Sequence, residues 1–153
     1  MLDQSEIPTS GSASMSGKAV FNVAYRYNQA NSDYGVTQYS SNATVNGTFN
    51  WGSGSYSGQL DFTNFDSGNS LVSNAGFTSF SVSLAGSGAT YAGNLNDTNN
   101  GWTREAVIAG ALYGNNTPVE SGGRISVGLS KSGSLGTSGA NDFYMAEGIY
   151  LID

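Results

Sequence analysis

The stretch of sequence that decides the fold is Asn42–Trp51, which reads NATVNGTFNW. Its odd-numbered positions hold Ala, Val, Gly, Phe and Trp, whereas its even-numbered positions hold Asn and Thr. An alternation of this kind places one set on each face of a β-strand. The residues that follow, Gly52-Ser53-Gly54, are typical of a tight turn, and the alternation resumes in Ser55–Phe62. The sequence therefore predicts a β-hairpin with one apolar face and one polar face.

The same alternation recurs along the chain and predicts eight strands. Eight such strands favour a closed, antiparallel, up-and-down β-barrel, because closure leaves no exposed sheet edge. The polar residues are expected to coat the outside, which predicts a soluble all-β barrel with a packed apolar lumen. The predicted strands are Lys18–Tyr27, Asn42–Trp51, Ser55–Phe62, Thr78–Leu84, Ala89–Leu95, Glu105–Tyr113, Gly123–Ser130 and Phe143–Leu151.

Residues 17–153 are predicted to form this single barrel domain, preceded by a flexible leader at residues 1–16, which are polar and rich in Ser. The inward face of the last strand stays open, because Met145, Ile149 and Leu151 compete with Tyr144 and Tyr150. The residues predicted to fill the lumen are Phe49, Leu60, Phe80, Val82, Ile125 and Val127.

The composition excludes several functions. The net charge is −6 and the five basic residues do not cluster, so no binding of nucleic acid is expected. There is no Cys and no His, which removes thiol nucleophiles, Ser–His dyads and the usual zinc ligands. Haem would have to use Tyr, Met15 or Met145, and Met145 is more typical of core packing. We therefore predict no cofactor and no metal.

One segment resembles a known family. Ala109–Gly123, AGALYGNNTPVESGG, is similar to a stretch in the β-barrel domains of transferrin-binding protein B and related surface lipoproteins. In that family a strand ending in a small residue, an aromatic residue and Gly leads to an acidic residue shortly before Gly-Gly. Gly17–Phe21, Val45–Phe62 and Ala146–Tyr150 resemble the opening, second-to-third and closing strands. The family usually has Phe where Leu112-Tyr113 stands, and many members add an N-terminal handle domain.

The resemblance implies a non-enzymatic module, exported to the surface, the outer membrane or the outside of a Gram-negative bacterium. It would bind a host protein or a small ligand connected with nutrients such as iron, or serve as the barrel domain of such a protein. The barrel itself would not insert into a membrane, although a lipid anchor upstream fits the family. Five residues of the segment are expected to be structural, with the glycines allowing positive φ and the acid accepting backbone N–H bonds: Tyr113, Gly114, Glu120, Gly122 and Gly123.

Any partner is predicted to meet loops at one end of the barrel, chiefly Asn94–Arg104, helped by Asn28–Tyr39 or Lys131–Asp142. The predicted binding residues are Trp102, Arg104, Tyr34 and Tyr39, because Trp, Tyr and Arg dominate binding hot spots. Trp102 has a second interpretation, as a plug in the barrel mouth. The outer faces of the strands are predicted to be a uniform coat of small polar side chains that offers a partner little.

Two alternatives remain open. The first is a hydrolase that acts on sugars with a pair of carboxylates drawn from Glu105, Glu120, Asp142 and Glu147, although their spacing does not favour it. The second is a barrel that binds haem or another small ligand. A packed lumen would favour the binding module, whereas a cleft with two facing carboxylates would favour the hydrolase.

Overall fold

Strands account for most of the fold in the computed structural model, which describes residues 2, 4–26, 36–114, 118–131 and 142–153. A short 3-10 helix, Gln4–Glu6, precedes the first strand, and one helix, α1, spans Ser70–Asn74. No helix within these ranges is long and apolar enough to cross a bilayer. The strands are β1 Ser12–Arg26, β2 Thr37–Trp51, β3 Tyr56–Thr63, β4 Phe80–Ser87, β5 Thr90–Asn99, β6 Trp102–Gly114, β7 Pro118–Lys131 and β8 Asp142–Ile152.

Each strand pairs antiparallel with the next in sequence, and β8 pairs with β1. The register of this closing pair runs from Gly17 opposite Ile152 to Arg26 opposite Phe143. Closure gives every strand two neighbours, so no edge presents unpaired backbone N–H and C=O groups. The prediction of an eight-stranded, closed, antiparallel barrel is confirmed.

The lumen is filled by the side chains that the alternation predicts. All six predicted lumen residues are buried, with exposed fractions between 0% and 8%. The open question about β8 is also answered, because Tyr144 and Tyr150 are buried inside the barrel. Met145, Ile149 and Leu151 point outward and are 55%, 65% and 60% exposed.

Two tyrosines cross the lumen and meet above two glycines. The hydroxyl oxygens of Tyr91 on β5 and Tyr150 on β8 lie 2.7 Å apart. Gly110 and Gly123 are paired on the neighbouring strands β6 and β7, and a Cβ added at either would overlap the Tyr150 hydroxyl. The glycines therefore provide the space that two rings need in a narrow barrel.

A plug closes one end of the barrel. It consists of residues 64–79, the connection between β3 and β4, and its helix α1 begins after Asn69, whose Oδ1 accepts the Leu71 N–H at 2.8 Å. Phe65 and Phe77 of the plug are fully buried. Phe65 packs edge-on against Phe21 at a centroid distance of 4.9 Å. We call this end the plug end, and the opposite one, with the β2–β3 and β4–β5 turns, the hairpin end.

Parts of two predicted irregular segments are in fact strand. Asn94–Arg104 is not a loop but the β5–β6 hairpin, whose turn is Asn100-Gly101 with φ values of 51° and 80°. Positive φ at both turn positions matches the twist of the flanking strands, which is why Asn-Gly joins them so tightly. The predicted loop Asn28–Tyr39 is wrong at its end, since β2 begins at Thr37.

The predicted boundary between the leader and the barrel, at residue 17, is wrong as well. Residues Ser12–Ser16 belong to β1, where they pair with Asn46–Asn50 of β2. Met15 and Leu2 are buried, and the Leu2 N–H donates to the Leu112 carbonyl at 3.3 Å. A polar, Ser-rich segment folds here because pairing with β2 satisfies its backbone and its two apolar side chains reach the core.

Replacing Phe80 by Ala should lower the free energy of unfolding by about 3–5 kcal/mol, the usual cost of deleting a buried Phe. Phe80 stacks on Phe77 at 4.1 Å and on Phe62 at 4.8 Å, so the change opens a cavity between the plug and the wall. Urea unfolding measures the difference, with the exposed neighbour Ser81→Ala as the control. An unchanged urea midpoint would contradict the inward register of β4.

Candidate functional site

Trp102, the first of the predicted partner residues, is buried. It begins β6 at the plug end, faces inward and is 2% exposed. The Lys131 ammonium lies 5.7 Å from the centroid of its ring, which is a cation–π contact. The structure therefore places Trp102 in the barrel mouth, as in the second interpretation of this residue.

Arg104 holds the plug to the β5–β6 hairpin. Its Nε and Nη2 donate to the two carboxylate oxygens of Asp97 at 2.7 Å and 2.6 Å. Its Nη1 donates to the carbonyls of Ala75 and Gly76 at 3.3 Å and 3.0 Å, just after α1 ends. The same guanidinium lies over the Phe77 ring and, by hydrogen bonding, holds the pKa of Asp97 below its usual range. The Nε, Nη1 and Nη2 groups of Arg104 thus all donate hydrogen bonds to groups within the molecule.

Tyr39 is also engaged inside the protein. Its hydroxyl donates to Asp66 of the plug and accepts from Asn69 Nδ2 at 2.8 Å. Asp66 accepts two further hydroxyls, from Tyr144 at 2.9 Å and from Ser41 at 3.2 Å. Three hydroxyls from β2 and β8 thus converge on one buried carboxylate, which clamps the plug to the wall.

The fourth predicted residue, Tyr34, lies outside the described residues. The other three have intramolecular roles in fastening the plug end, and their contact with a partner stays a prediction. The sequence does contain a signal for the position of Trp102, the dipeptide Asn100-Gly101. This dipeptide is strongly associated with two-residue hairpin turns, so it indicates that Trp102 begins a strand and does not lie in a loop.

Residues 109–114 of the Ala109–Gly123 segment end β6, residues 118–123 begin β7, and the two strands pair antiparallel. Tyr113 pairs with Glu120, and a register shift follows at Gly114, which has positive φ. Gly122 and Gly123 are not among the glycines with positive φ. The prediction that these two positions are glycine because they need positive φ is therefore wrong. Gly123 instead lies beneath Tyr150. Glu120 is exposed and makes none of the expected backbone hydrogen bonds within the described residues.

The outer wall is not the uniform polar coat that the sequence predicts. Val20 on β1 lies directly opposite Ile149 on β8, and Leu151 is the next outward residue. Their exposed fractions are 57%, 65% and 60%. Leu151 and Tyr113 lean over Gly122, whose added Cβ would lie 3.4 Å from Leu151 Cδ1 and 3.9 Å from the Tyr113 ring. Because both faces of β8 are apolar, alternation alone did not identify this surface. We call Val20, Ile149 and Leu151 the wall patch.

Two cations flank the wall patch. Lys18 pairs with Leu151 across the β1–β8 boundary, and Arg124 pairs with Ile149 across the β7–β8 boundary. Both are exposed, and neither has an ion-pair partner among the residues that the structure describes. The other three basic residues pack on an aromatic ring or a carboxylate: Arg26 on Phe143, Arg104 on Asp97 and Lys131 on Trp102.

Two grooves run along the outer wall near the plug end, one on each side of Met145. The larger, of about 520 Å³, crosses β2, β1 and β8, and Glu147 supplies the one carboxylate among its described lining residues. The smaller, of about 280 Å³, crosses β6, β7 and β8, and of the residues described along it only Glu105 carries a carboxylate. We call them the first groove and the second groove.

The described ranges contain no cluster of three or more acidic, His or Cys residues that could hold a metal ion. Comparison of the sequence with models of known protein families gives no match, and comparison with curated proteins gives none. Function is therefore inferred from the filled lumen, the wall patch and the two grooves.

Replacing Arg104 by Ala should lower the free energy of unfolding by about 2 kcal/mol or more, because several charge-assisted hydrogen bonds to the plug are lost. Arg104→Lys should recover only part of this loss, since an ammonium cannot make the forked contact with Asp97. Urea midpoints measure both effects. Arg124→Ala is the matched control, for which a change within about 0.5 kcal/mol is expected. Equal stability of Arg104→Ala and wild type would disprove the fastening role.

Stability should fall steeply at alkaline pH. Burial raises the pKa of five tyrosines: Tyr39, Tyr56, Tyr91, Tyr144 and Tyr150. Unfolded tyrosines release their protons above about pH 10, whereas the folded protein keeps them, so the free energy of unfolding decreases as pH rises through that region. Below it, this contribution is constant. Tyrosinate absorbance and near-ultraviolet circular dichroism, followed together, check the prediction.

In that titration, the signal from these tyrosines should appear only as the protein unfolds. Tyr150→Phe is expected to make the loss of stability with pH less steep, because one buried hydroxyl is removed. Reversible ionisation of all the tyrosines with the dichroism signal intact would contradict the buried network.

Proposed function

We propose that this chain is a non-enzymatic binding module, exported or displayed at the surface of a Gram-negative bacterium, and that it binds a protein partner on its outer wall. The observation that carries the proposal is the exposed wall patch, Val20, Ile149 and Leu151, lying between Lys18 and Arg124. Exposed apolar groups rimmed by polar ones are typical of protein interfaces.

The packing of the lumen supports binding on the outside. Aromatic and aliphatic side chains occupy it from the plug to the hairpin end, where Trp51, Tyr56 and Phe49 pack together. A barrel that carries haem or another small ligand internally needs an open interior instead. Contact with a partner is therefore assigned to the outer surface.

The charges around the patch define the partner. In a chain with a net charge of −6, the two basic residues that pack on neither an aromatic ring nor a carboxylate in the described ranges, Lys18 and Arg124, lie on either side of the patch. A partner with an apolar anchor residue would bury Ile149. Carboxylates around that anchor would form ion pairs with Lys18 and Arg124. We therefore propose an acidic protein surface with a central apolar side chain.

The arrangement of the carboxylates favours binding over hydrolysis of sugars. Glycosidases need two carboxyl groups that face each other across one cleft. Of the residues described along the two outer grooves, each groove has one carboxylate, Glu147 or Glu105, while Asp142 is buried and Glu120 lies on β7. The resemblance of Ala109–Gly123 to transferrin-binding-protein-like barrels supports surface display and, within the proposal, a role in nutrient acquisition.

The proposal is tested by affinity capture from host serum and from culture supernatant with immobilised protein, followed by affinity measurement on the purified partner. Ile149→Ser and the double variant Lys18→Glu/Arg124→Glu should each weaken binding by about 2 kcal/mol, the usual size of a hot-spot effect. The association rate with wild type should fall as salt increases, because opposite charges steer the encounter.

Ser83→Glu is the matched control, since it adds a negative charge to the outward face of β4, across the barrel from β8. Circular dichroism establishes that each variant is folded. If the captured partner binds the wall-patch variants and the control equally well, the wall patch is not the interface and the proposal fails.

A further inference from the structure

The first groove has a shape that a barrel wall does not ordinarily have. The outer surface of a closed barrel is convex, so a depression needs a short side chain between long ones. Ala24 is that short residue, with Gln38 opposite it on β2 and Met145 opposite it on β8. The resulting groove of about 520 Å³ falls within the range of small-molecule sites, which is roughly 300–1,000 Å³.

Several hydrogen-bonding groups that line this groove make no bond to the described part of the protein. Asn22, Gln38 and Ser40 lie along it, and none of their side chains makes a hydrogen bond within the described part of the chain. Glu147 also lines the groove, and its Oε2 accepts a hydrogen bond from the Ser126 hydroxyl at 2.7 Å. The groove therefore offers two amides and a hydroxyl that can both donate and accept, beside a carboxylate that is held in place.

The groove also has an apolar side. Met145 is 55% exposed and stands beside the methyl group of Ala24. A flexible, polarisable thioether adapts to irregular apolar surfaces. A ligand that fits both sides must present hydroxyl groups along one edge and C–H groups on a face.

The charge of the lining narrows the ligand class. Among the lining residues that the structure describes, Glu147 is the only charged one, and its negative charge disfavours an anion in the groove. A wholly apolar ligand would cover the amides of Asn22 and Gln38 and leave them unpaired, which is costly. A hydroxyl-rich, uncharged molecule satisfies both conditions.

We propose that the first groove is a binding site for a short neutral saccharide. The sugar hydroxyls bond to Asn22, Gln38, Ser40 and Glu147, and a C–H face of the ring packs on Met145 and Ala24. The site is separate from the wall patch, because Glu147 lies between Met145 and Ile149 on the outward face of β8. It does not depend on the protein partner proposed above.

The test is a titration of ¹⁵N-labelled protein with maltose, cellobiose, lactose and chitobiose, followed by amide chemical shifts. At least one sugar should shift the resonances of Asn22, Ala24, Gln38 and Ser40 in a saturable way and leave those of the wall patch unchanged. Gln38→Ala should weaken binding of that sugar about tenfold, the effect of one lost hydrogen bond. Ala24→Leu should abolish binding, because the longer side chain would fill the depression of the first groove.

Asn46→Ala is the matched control, because this exposed amide lies on the outward face of β2 beyond the groove. It should bind as wild type does. Spermidine and glucosamine serve as cationic probes, and neither should bind more tightly than the best neutral sugar.

The proposal is overturned if none of the four sugars gives saturable shifts at these residues. It is also overturned if Ala24→Leu, shown by its spectrum to be folded, binds like wild type, or if the cationic probes bind more tightly. Loss of sugar binding with the protein partner still bound, or the reverse, separates this site from the wall patch.

Discussion

The side chains that point inward from a closed eight-stranded barrel share one narrow lumen, so a large residue on one strand requires a gap on the strand beside it. Tyr91 and Tyr150 meet that requirement over Gly110 and Gly123, and their hydroxyls satisfy each other at 2.7 Å. The ring of Tyr56 likewise occupies the space that the missing side chain of Gly86 leaves. The overlap that a Cβ would create explains why these positions are glycine even though their backbone is extended.

This constraint also determines which apolar residues remain outside. β8 carries an aromatic and an aliphatic set, and only one of them fits the lumen. The tyrosines are inside, because Gly110 and Gly123 leave space for Tyr150 and because Asp66 accepts the Tyr144 hydroxyl. Ile149 and Leu151 are therefore left on the wall, where the proposed function uses them.

The plug shows how polar residues add to apolar packing in fastening one end of the barrel. Arg104 bonds to carbonyls at the end of α1, and Asp66 accepts hydroxyls from two strands. Such charge-assisted bonds are strong when shielded from water. They engage Arg104 and Tyr39, residue types that usually indicate a binding surface, and so the proposed contacts with other molecules lie on the outer wall.

The sequence by itself determined the class of fold, the number of strands and the lumen residues of β2, β3, β4 and β7. It could do so because the period-two alternation in these segments is local and unambiguous, as in Asn42–Trp51. Asn100-Gly101 carried a further local signal for a hairpin, which the prediction of a loop at Asn94–Arg104 missed. Only the tertiary structure decided the inward face of β8, the plug and the wall patch. Those features depend on which side chains from distant strands fit together in the lumen, and no local pattern contains that information.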